Sequence, residues 1–171
     1  LSLQSLGVGN GFNSTLSVLA GGLLDNDGPT SIGNDAFDAT TGTIRVEGTS
    51  SLWRNGGDVR VGTGGDGFVD IAGGGRAALN SINIGRGNDL MFGTGAGTVT
   101  VHGTNSQLVC AALAIGQLRA GVLTIADGGG VRVVGGKLTV GRSGEGEMHV
   151  LAGGRLEAAE TILGGESASA A

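Results

Sequence analysis

Glycine constrains this chain more than any other residue: 38 of its 171 residues are Gly, about three times the usual share of roughly 7%. Each Gly in a helix interior costs about 1 kcal/mol relative to Ala, so a helical bundle is excluded. The glycines keep no three-residue period and there is a single proline, Pro29, which excludes a collagen triple helix. The chain is not disordered either, because 39% of it is apolar and only 15% charged, a balance that permits a core. With no Tyr, one Trp and four Phe, that core must be narrow and built from Val, Ile and Leu.

The glycines punctuate a repeat. Residues 42–53, GTIRVEGTSSLW, return at 97–108 as GTVTVHGTNSQL. A shorter pairing recurs as LGVG then LSVLAGG (6–9, 16–22), DVRVG then VDIAGGG (58–62, 69–75), LAIG then LTIADGG (113–116, 123–129) and LTVG then MHVLAGG (138–141, 148–154). Within each piece apolar and polar residues alternate, as in Val59-Arg60-Val61, Val69-Asp70-Ile71 and Val99-Thr100-Val101. Period-two alternation bounded by glycine reads as short strands with one buried face.

One apolar residue marks each coil start: Val8, Ile32, Val61, Ile84, Ile115, Val140 and Ile162, spaced by 24, 29, 23, 31, 25 and 22 residues. A second strand follows at Val18, Val46, Ile71, Val101, Ile125 and Val150, and a weaker third at Leu23, Leu52, Ala78, Leu108, Val133 and Leu156. The pattern predicts an all-β, right-handed parallel β-helix (β-solenoid) of about seven coils, each of roughly 22–31 residues with three short strands. Such strands are too short to persist alone, and stacking the coils pairs each with its equivalents while joining their apolar residues into one core. The whole of 1–171 reads as a single β-helix segment ending in a Ser/Ala tail at 167–171. Its start at Leu1, with neither a Met nor a signal-type stretch, reads as an excerpt of a longer repetitive protein.

Charge and cysteine content narrow the function classes. Ten Lys and Arg against fifteen Asp and Glu give a net charge of −5, with no basic run to neutralise phosphates, so nucleic acid is not an expected partner. Cys110 is the sole cysteine, so it has no internal disulfide partner, and no Cys/His spacing suits zinc. The longest apolar run, Leu108 to Ile115, has eight residues where a membrane helix needs about 20. This segment is not expected to span a bilayer.

The stretches 42–75, GTIRVEGTSSLWRNGGDVRVGTGGDGFVDIAGGG, and 97–129 resemble the passenger repeats of bacterial autotransporters, Gly-rich β-helical proteins of Gram-negative bacteria. The likeness runs from about Leu6 to Gly165 and rests on a style of sequence: GT-x-V-x-V-x-G-T-x-S-x-L, then x-V-G-x-G-G-x-G, then L-x-I-x-x-G-G. Two departures are Cys110 and the Leu108 that stands where the first copy has Trp53. The resemblance implies export through the outer membrane, a secreted or cell-surface location, and a stalk engaged in adhesion or self-association. The implied partner is a host-surface protein or glycan, or another copy of the chain, and no catalytic residue is implied. The rival reading is a polysaccharide-acting β-helix enzyme or a phage-tail fibre segment, which would show carboxylates clustered on one face.

Few residues carry chemistry of their own. Gly85-Arg-Gly-Asn-Asp89-Leu-Met91 partly matches the calcium nonapeptide G-G-x-G-x-D-x-U-x, but Ile84 replaces the first Gly and no second copy completes a coordination sphere. No metal and no other cofactor is therefore expected. Asp66 and Asp70, and Glu157 and Glu160, are spaced closely enough to test as general acid and base, and they read instead as solvated acids. His102 and His149 have no partner in sequence. The outward strand residues Arg45, Asp70, Thr100, Thr124 and His149 mix charges too freely for an ice-binding array.

The strongest irregularity is the pair of long coils. Both carry their extra residues between first and second strands, at 33–42 and 85–97, each with Asn-Asp followed by a Phe. A coil without insertion separates them, so both loops should leave one side of the rod. Loops on a rigid scaffold are where binding usually resides. The candidate partner-binding residues are Asn34, Asp35, Phe37, Asn88, Asp89, Leu90, Met91 and Phe92. Phe37 and Phe92 either project as a contact pair or fold back over the corner as staples.

Overall fold

The computed structural model describes residues 3–35, 40–87 and 94–165. Its strands are β1 (Leu6–Val8), β2 (Ser14–Leu19), β3 (Leu23–Asn26), β4 (Thr30–Ile32), β5 (Thr41–Glu47), β6 (Leu52–Val61) and β7 (Asp66–Ala72). They continue as β8 (Arg76–Ile84), β9 (Gly97–His102), β10 (Gln107–Ile115), β11 (Gly121–Ala126), β12 (Gly130–Val140), β13 (Gly146–Val150) and β14 (Arg155–Leu163). All pairings between these strands are parallel. One sheet runs β2-β5-β7-β9-β11-β13 and the other β1-β4-β6-β8-β10-β12-β14, with β3 beside β6. The chain is a parallel β-helix, and its seven coil starts bound about six turns.

Only the first turn keeps its third and first strands apart, as β3 and β4. In later turns they merge into one strand of nine to eleven residues. Register shifts mark a bend in several of these pairings, between Asn55 and Asp58, between Cys110 and Leu113, and between Val133 and Lys137. Three walls therefore surround the core, two of them belonging to one bent sheet.

The second-strand residues stack as the sequence pattern predicts: Val18, Val46, Ile71, Val101, Ile125 and Val150 are successive partners. The first-strand column Val8-Ile32-Val61-Ile84-Ile115-Val140 also holds, but it ends in Leu163 rather than Ile162, which faces outward beside Thr139. The third column differs most. It runs Leu24-Trp53-Ala77-Leu108-Val131-Leu156, so Leu23, Leu52 and Ala78 sit one position off and Val133 belongs to the next inward row. Trp53 is fully buried, and the small Ala77 above it makes the room.

That next inward row changes character along the rod, from Asn26 and Asn55 to Leu79, Cys110 and Val133. The Asn26 amide nitrogen donates to the Gly28 carbonyl at 2.8 Å, to Thr30 Oγ1 at 2.9 Å and to Asn55 Oδ1 at 2.8 Å. The Thr30 hydroxyl donates to the same Asn55 oxygen at 2.6 Å, and Asn55 Nδ2 donates to the Gly57 carbonyl at 2.8 Å. These buried amides satisfy the backbone where the first two turns bend, which an apolar side chain could not do.

The glycine content is explained chiefly at one corner. After each first strand comes a glycine with positive φ, for example Gly62 at 73°, Gly85 at 68° and Gly116 at 69°. Its N–H donates one coil back, Gly62 to Ile32 O at 2.9 Å and Gly116 to Ile84 O at 2.8 Å. A Cβ at Gly116 would lie 2.4 Å from the Glu145 carbonyl oxygen of the next coil. A second glycine column, Gly67-Gly97-Gly121-Gly146, opens the second strands in register and closes the same corner from the other side. Neighbouring coils touch here through backbone alone, and no side chain fits between them.

Candidate functional site

The corner that needs these glycines also releases the two long loops. From first to second strand the chain takes residues 33–40 in one coil and 85–96 two coils later, against four residues, 62–65, in the coil between. The feet of both loops rest on that short linker. Asn34 accepts a hydrogen bond from the Thr63 hydroxyl at 3.0 Å, and the Asp66 N–H donates to the Thr40 carbonyl at 2.9 Å. From the other side, Gly87 N donates to Gly62 O, Gly95 N to Gly64 O, and Ala96 N to the Asp66 carboxylate, each at 2.9–3.0 Å. Both insertions thus leave one corner, one coil apart from the same linker. Asn34 is exposed and Asp35 half-buried, while Phe37, Asn88, Asp89, Leu90, Met91 and Phe92 lie outside the described residues. The calcium-like stretch leaves them at the same point. Among the described residues no three His, Cys, Asp or Glu side chains gather as metal ligands would.

The acids and histidines flagged in the sequence each have a partner. Asp70 lies between Arg45 Nε at 3.3 Å and His102 Nε2 at 3.0 Å, and His149 sits 3.3 Å from Glu147. The sequence could not pair His102 with Asp70 because the two are neighbours only after coils stack. Glu157 pairs with Arg132 at 3.5 Å and Glu160 with Lys137 at 3.0 Å, flanking the bend of β14 on different walls. Asp66 holds the Ala96 amide. The four carboxylates therefore steady neighbouring coils. On the outer face of the six-stranded sheet, Thr98, Thr100 and Thr124 adjoin Asp70, Glu147 and His149, and the charges break any regular threonine lattice.

Cys110 is an inward core residue, and burial pushes its thiol from the ordinary 9.0 up to about 12. A thiol so held stays protonated and inert at neutral pH.

A feature missed in the sequence lies on the outer face of the bent sheet. A shallow groove of about 410 Å³ crosses four coils there. Its floor is one outward row, Asn83, Ala114, Thr139 and Ile162, in register on β8, β10, β12 and β14. Ser81, Ala112 and Lys137 form one side, and Gln117 and Arg142, on the corner, form the other. The groove exists because the eight-residue apolar run in β10 turns alanines outward between longer side chains. The signal was present in the run Leu113-Ala114-Ile115, whose two large residues face in.

No family profile, no curated protein and no solved structure matches the chain.

Proposed function

We propose that the chain is a structural and adhesive segment of a secreted or surface-displayed passenger of the autotransporter type, presenting two long loops from a rigid rod to a host-surface partner or to a second rod. The observation that carries this reading is the shared corner: the two longest linkers leave the same edge with a single four-residue linker between them. A parallel β-helix suits the task because every coil is tied to its neighbours by continuous hydrogen-bonded ladders, so a loop rooted on it keeps its direction. The repeat style at 42–75 and 97–129 supports display on a Gram-negative surface, because export through the outer membrane is what the resemblance implies.

The test replaces 33–40 and 85–96, separately and together, with the four residues Gly62-Thr-Gly-Gly65. Such chains should keep the β-rich circular dichroism of the parent, because the same corner is already closed by that linker in the coil between. Displayed on a non-adherent Gram-negative strain, the doubly shortened form should lose cell binding or autoaggregation. Adhesion equal to that of the parent would sink the reading.

A further inference from the structure

Apart from any binding, the chain holds one reaction that it can carry out on itself. Where glycine follows asparagine, the glycine nitrogen can approach the side-chain amide carbon closely, because no Cβ stands in the way. This pair occurs twice, at Asn10-Gly11 and Asn55-Gly56. In sequence the two are equivalent, and the fold makes them opposites.

Asn55 points into the core and is buried. Its Nδ2 donates to the Gly57 carbonyl at 2.8 Å, and its Oδ1 accepts from Asn26 at 2.8 Å and from Thr30 at 2.6 Å. The amide is held at both ends, so its carbon cannot turn toward the Gly56 nitrogen without breaking these bonds and stranding buried polar groups. Asn10 lies in the linker between β1 and β2 and is exposed. Among the described residues no hydrogen bond holds its side chain or the Gly11 N–H. Gly11 has φ of 91° and nothing within 4 Å of where a Cβ would stand. The reacting atoms can therefore meet without pushing on a neighbour, and water reaches them.

We propose that Asn10 is a site of spontaneous modification, converting through a cyclic imide to aspartate and isoaspartate. The Gly11 nitrogen attacks Asn10 Cγ; an N–C bond forms, the Cγ–Nδ2 bond breaks, and the proton lost by Gly11 departs with the side-chain nitrogen as ammonia. Water then opens the imide at either carbonyl and returns a proton to the ring nitrogen. Opening at the side-chain carbonyl leaves aspartate, and opening at the backbone carbonyl leaves isoaspartate. The net reaction consumes one water and releases one ammonia, and nothing is oxidised or reduced. Either product adds a negative charge to the net −5 of the chain. The charge falls at the loop-bearing corner, where the Asn34 N–H at the foot of the first long loop donates to the Gly9 carbonyl at 3.0 Å. The reaction does not depend on what the loops bind.

The test incubates the whole chain in mildly alkaline buffer, folded and, in parallel, unfolded in urea. Trypsin then releases Asn10 within 1–45 and Asn55 within 55–60. Tandem mass spectrometry reads the exchange of NH2 for OH at each residue, and ion exchange reads the added charge on the intact protein. In the folded chain Asn10 should be converted at least tenfold faster than Asn55, and unfolding should remove that difference by speeding Asn55. Asn10→Gln, which must close a larger ring, should slow the appearance of the acidic form at least tenfold. Circular dichroism through the incubation establishes that the native samples stay folded. The inference is overturned if folded Asn10 stays intact over the time in which the unfolded chain loses it, if Asn55 keeps pace with Asn10 in the folded chain, or if Asn10→Gln gains the charge as fast as the parent.

Discussion

Substituting alanine for glycine at three positions, Gly135 at the bend within β12 and Gly116 and Gly121 at the corner, separates the two demands that the solenoid makes on its backbone. Gly135 has φ of 83° and nothing within 4 Å of where a Cβ would stand, so Gly135→Ala tests conformation alone. The left-handed region costs an L-residue about 1–2 kcal/mol, and the smaller entropy of the unfolded alanine chain returns roughly 0.4–1 kcal/mol, leaving a net loss near 1 kcal/mol or less. Gly121 is the opposite case: its φ lies outside the left-handed range, but its Cβ would sit 2.5 Å from Gly116 N and from Ile84 O. Both are backbone atoms that cannot swing aside. Ordinary contact begins at 3.4 Å, so the coils must part locally by nearly an ångström. Overpacking of this kind costs about 1–3 kcal/mol. Parting the coils also strains the 2.8 Å bond from Gly116 N to Ile84 O, adding about 1 kcal/mol. Gly116→Ala combines both penalties, with positive φ and a Cβ 2.4 Å from the Glu145 carbonyl, and should be the worst of the three at about 4 kcal/mol. Urea unfolding followed by far-ultraviolet circular dichroism gives the three midpoints at a common slope. The reasoning fails if Gly121→Ala is neutral, or if Gly116→Ala costs no more than Gly135→Ala.

Other perturbations follow from the same geometry. Val101→Asp puts an unpaired charge on a fully buried position and should cost several kcal/mol (about 4), while Thr100→Asn, facing outward on the same strand, should be nearly neutral; equal melting temperatures would show the register to be wrong. Asn55→Ala strips partners from the Asn26 amide and the Thr30 hydroxyl and should cost about 3 kcal/mol, measured by urea midpoint, with Asn80→Ala on the exposed face as the neutral control. Cys110, its folded pKa raised above the unfolded value, favours the folded state fully below about pH 9 and loses that contribution as pH rises toward about 12. Stability should therefore fall across that window in the parent and less in Cys110→Ala, and iodoacetamide at pH 8 should label the parent only after unfolding. Excess chelator should leave the melting temperature unchanged, and a substantial drop would restore calcium to the stretch from Gly85.

How legible the fold was in the sequence depends on what punctuates each strand. The second strands are set off by a glycine before and a turn after, as in Gly97 to Gly103, so alternation can be counted from a fixed origin. Val46, Ile71, Val101 and Ile125 could be placed inward on that basis. The third strand has no such origin, because it runs through a bend into the next first strand without a break. At Leu52-Trp53 both residues are apolar and alternation alone cannot choose between them. The choice of Trp53 is made by the neighbouring coil, where Ala77 leaves space and Arg76 must face out. At Val131 and Val133 both residues are inward, in adjacent rows, and the spacing gave no reason to prefer one. Ile162 was misplaced for a related reason, since Ile162-Leu163 offers two apolar residues and only the pairing with Thr139-Val140 decides.

The candidate sites divide along the same line. An insertion is a local event, visible as an interval of 29 or 31 residues where 22 to 25 is usual, so the two loops and their common corner could be read from one dimension. A groove on a solenoid is not local. Ala114 is unremarkable on its strand, and it becomes the floor of a cleft only because Asn83 and Thr139, 31 residues before it and 25 after, stand on either side. Gln117 follows the same rule: it lines the groove only together with Arg142 on the next turn of the same corner. In a fold where nearest neighbours are one coil apart, chemistry is written down columns rather than along the chain. The outward columns, which no core constrains, are the ones where alternation says that a residue faces out and nothing about what it faces.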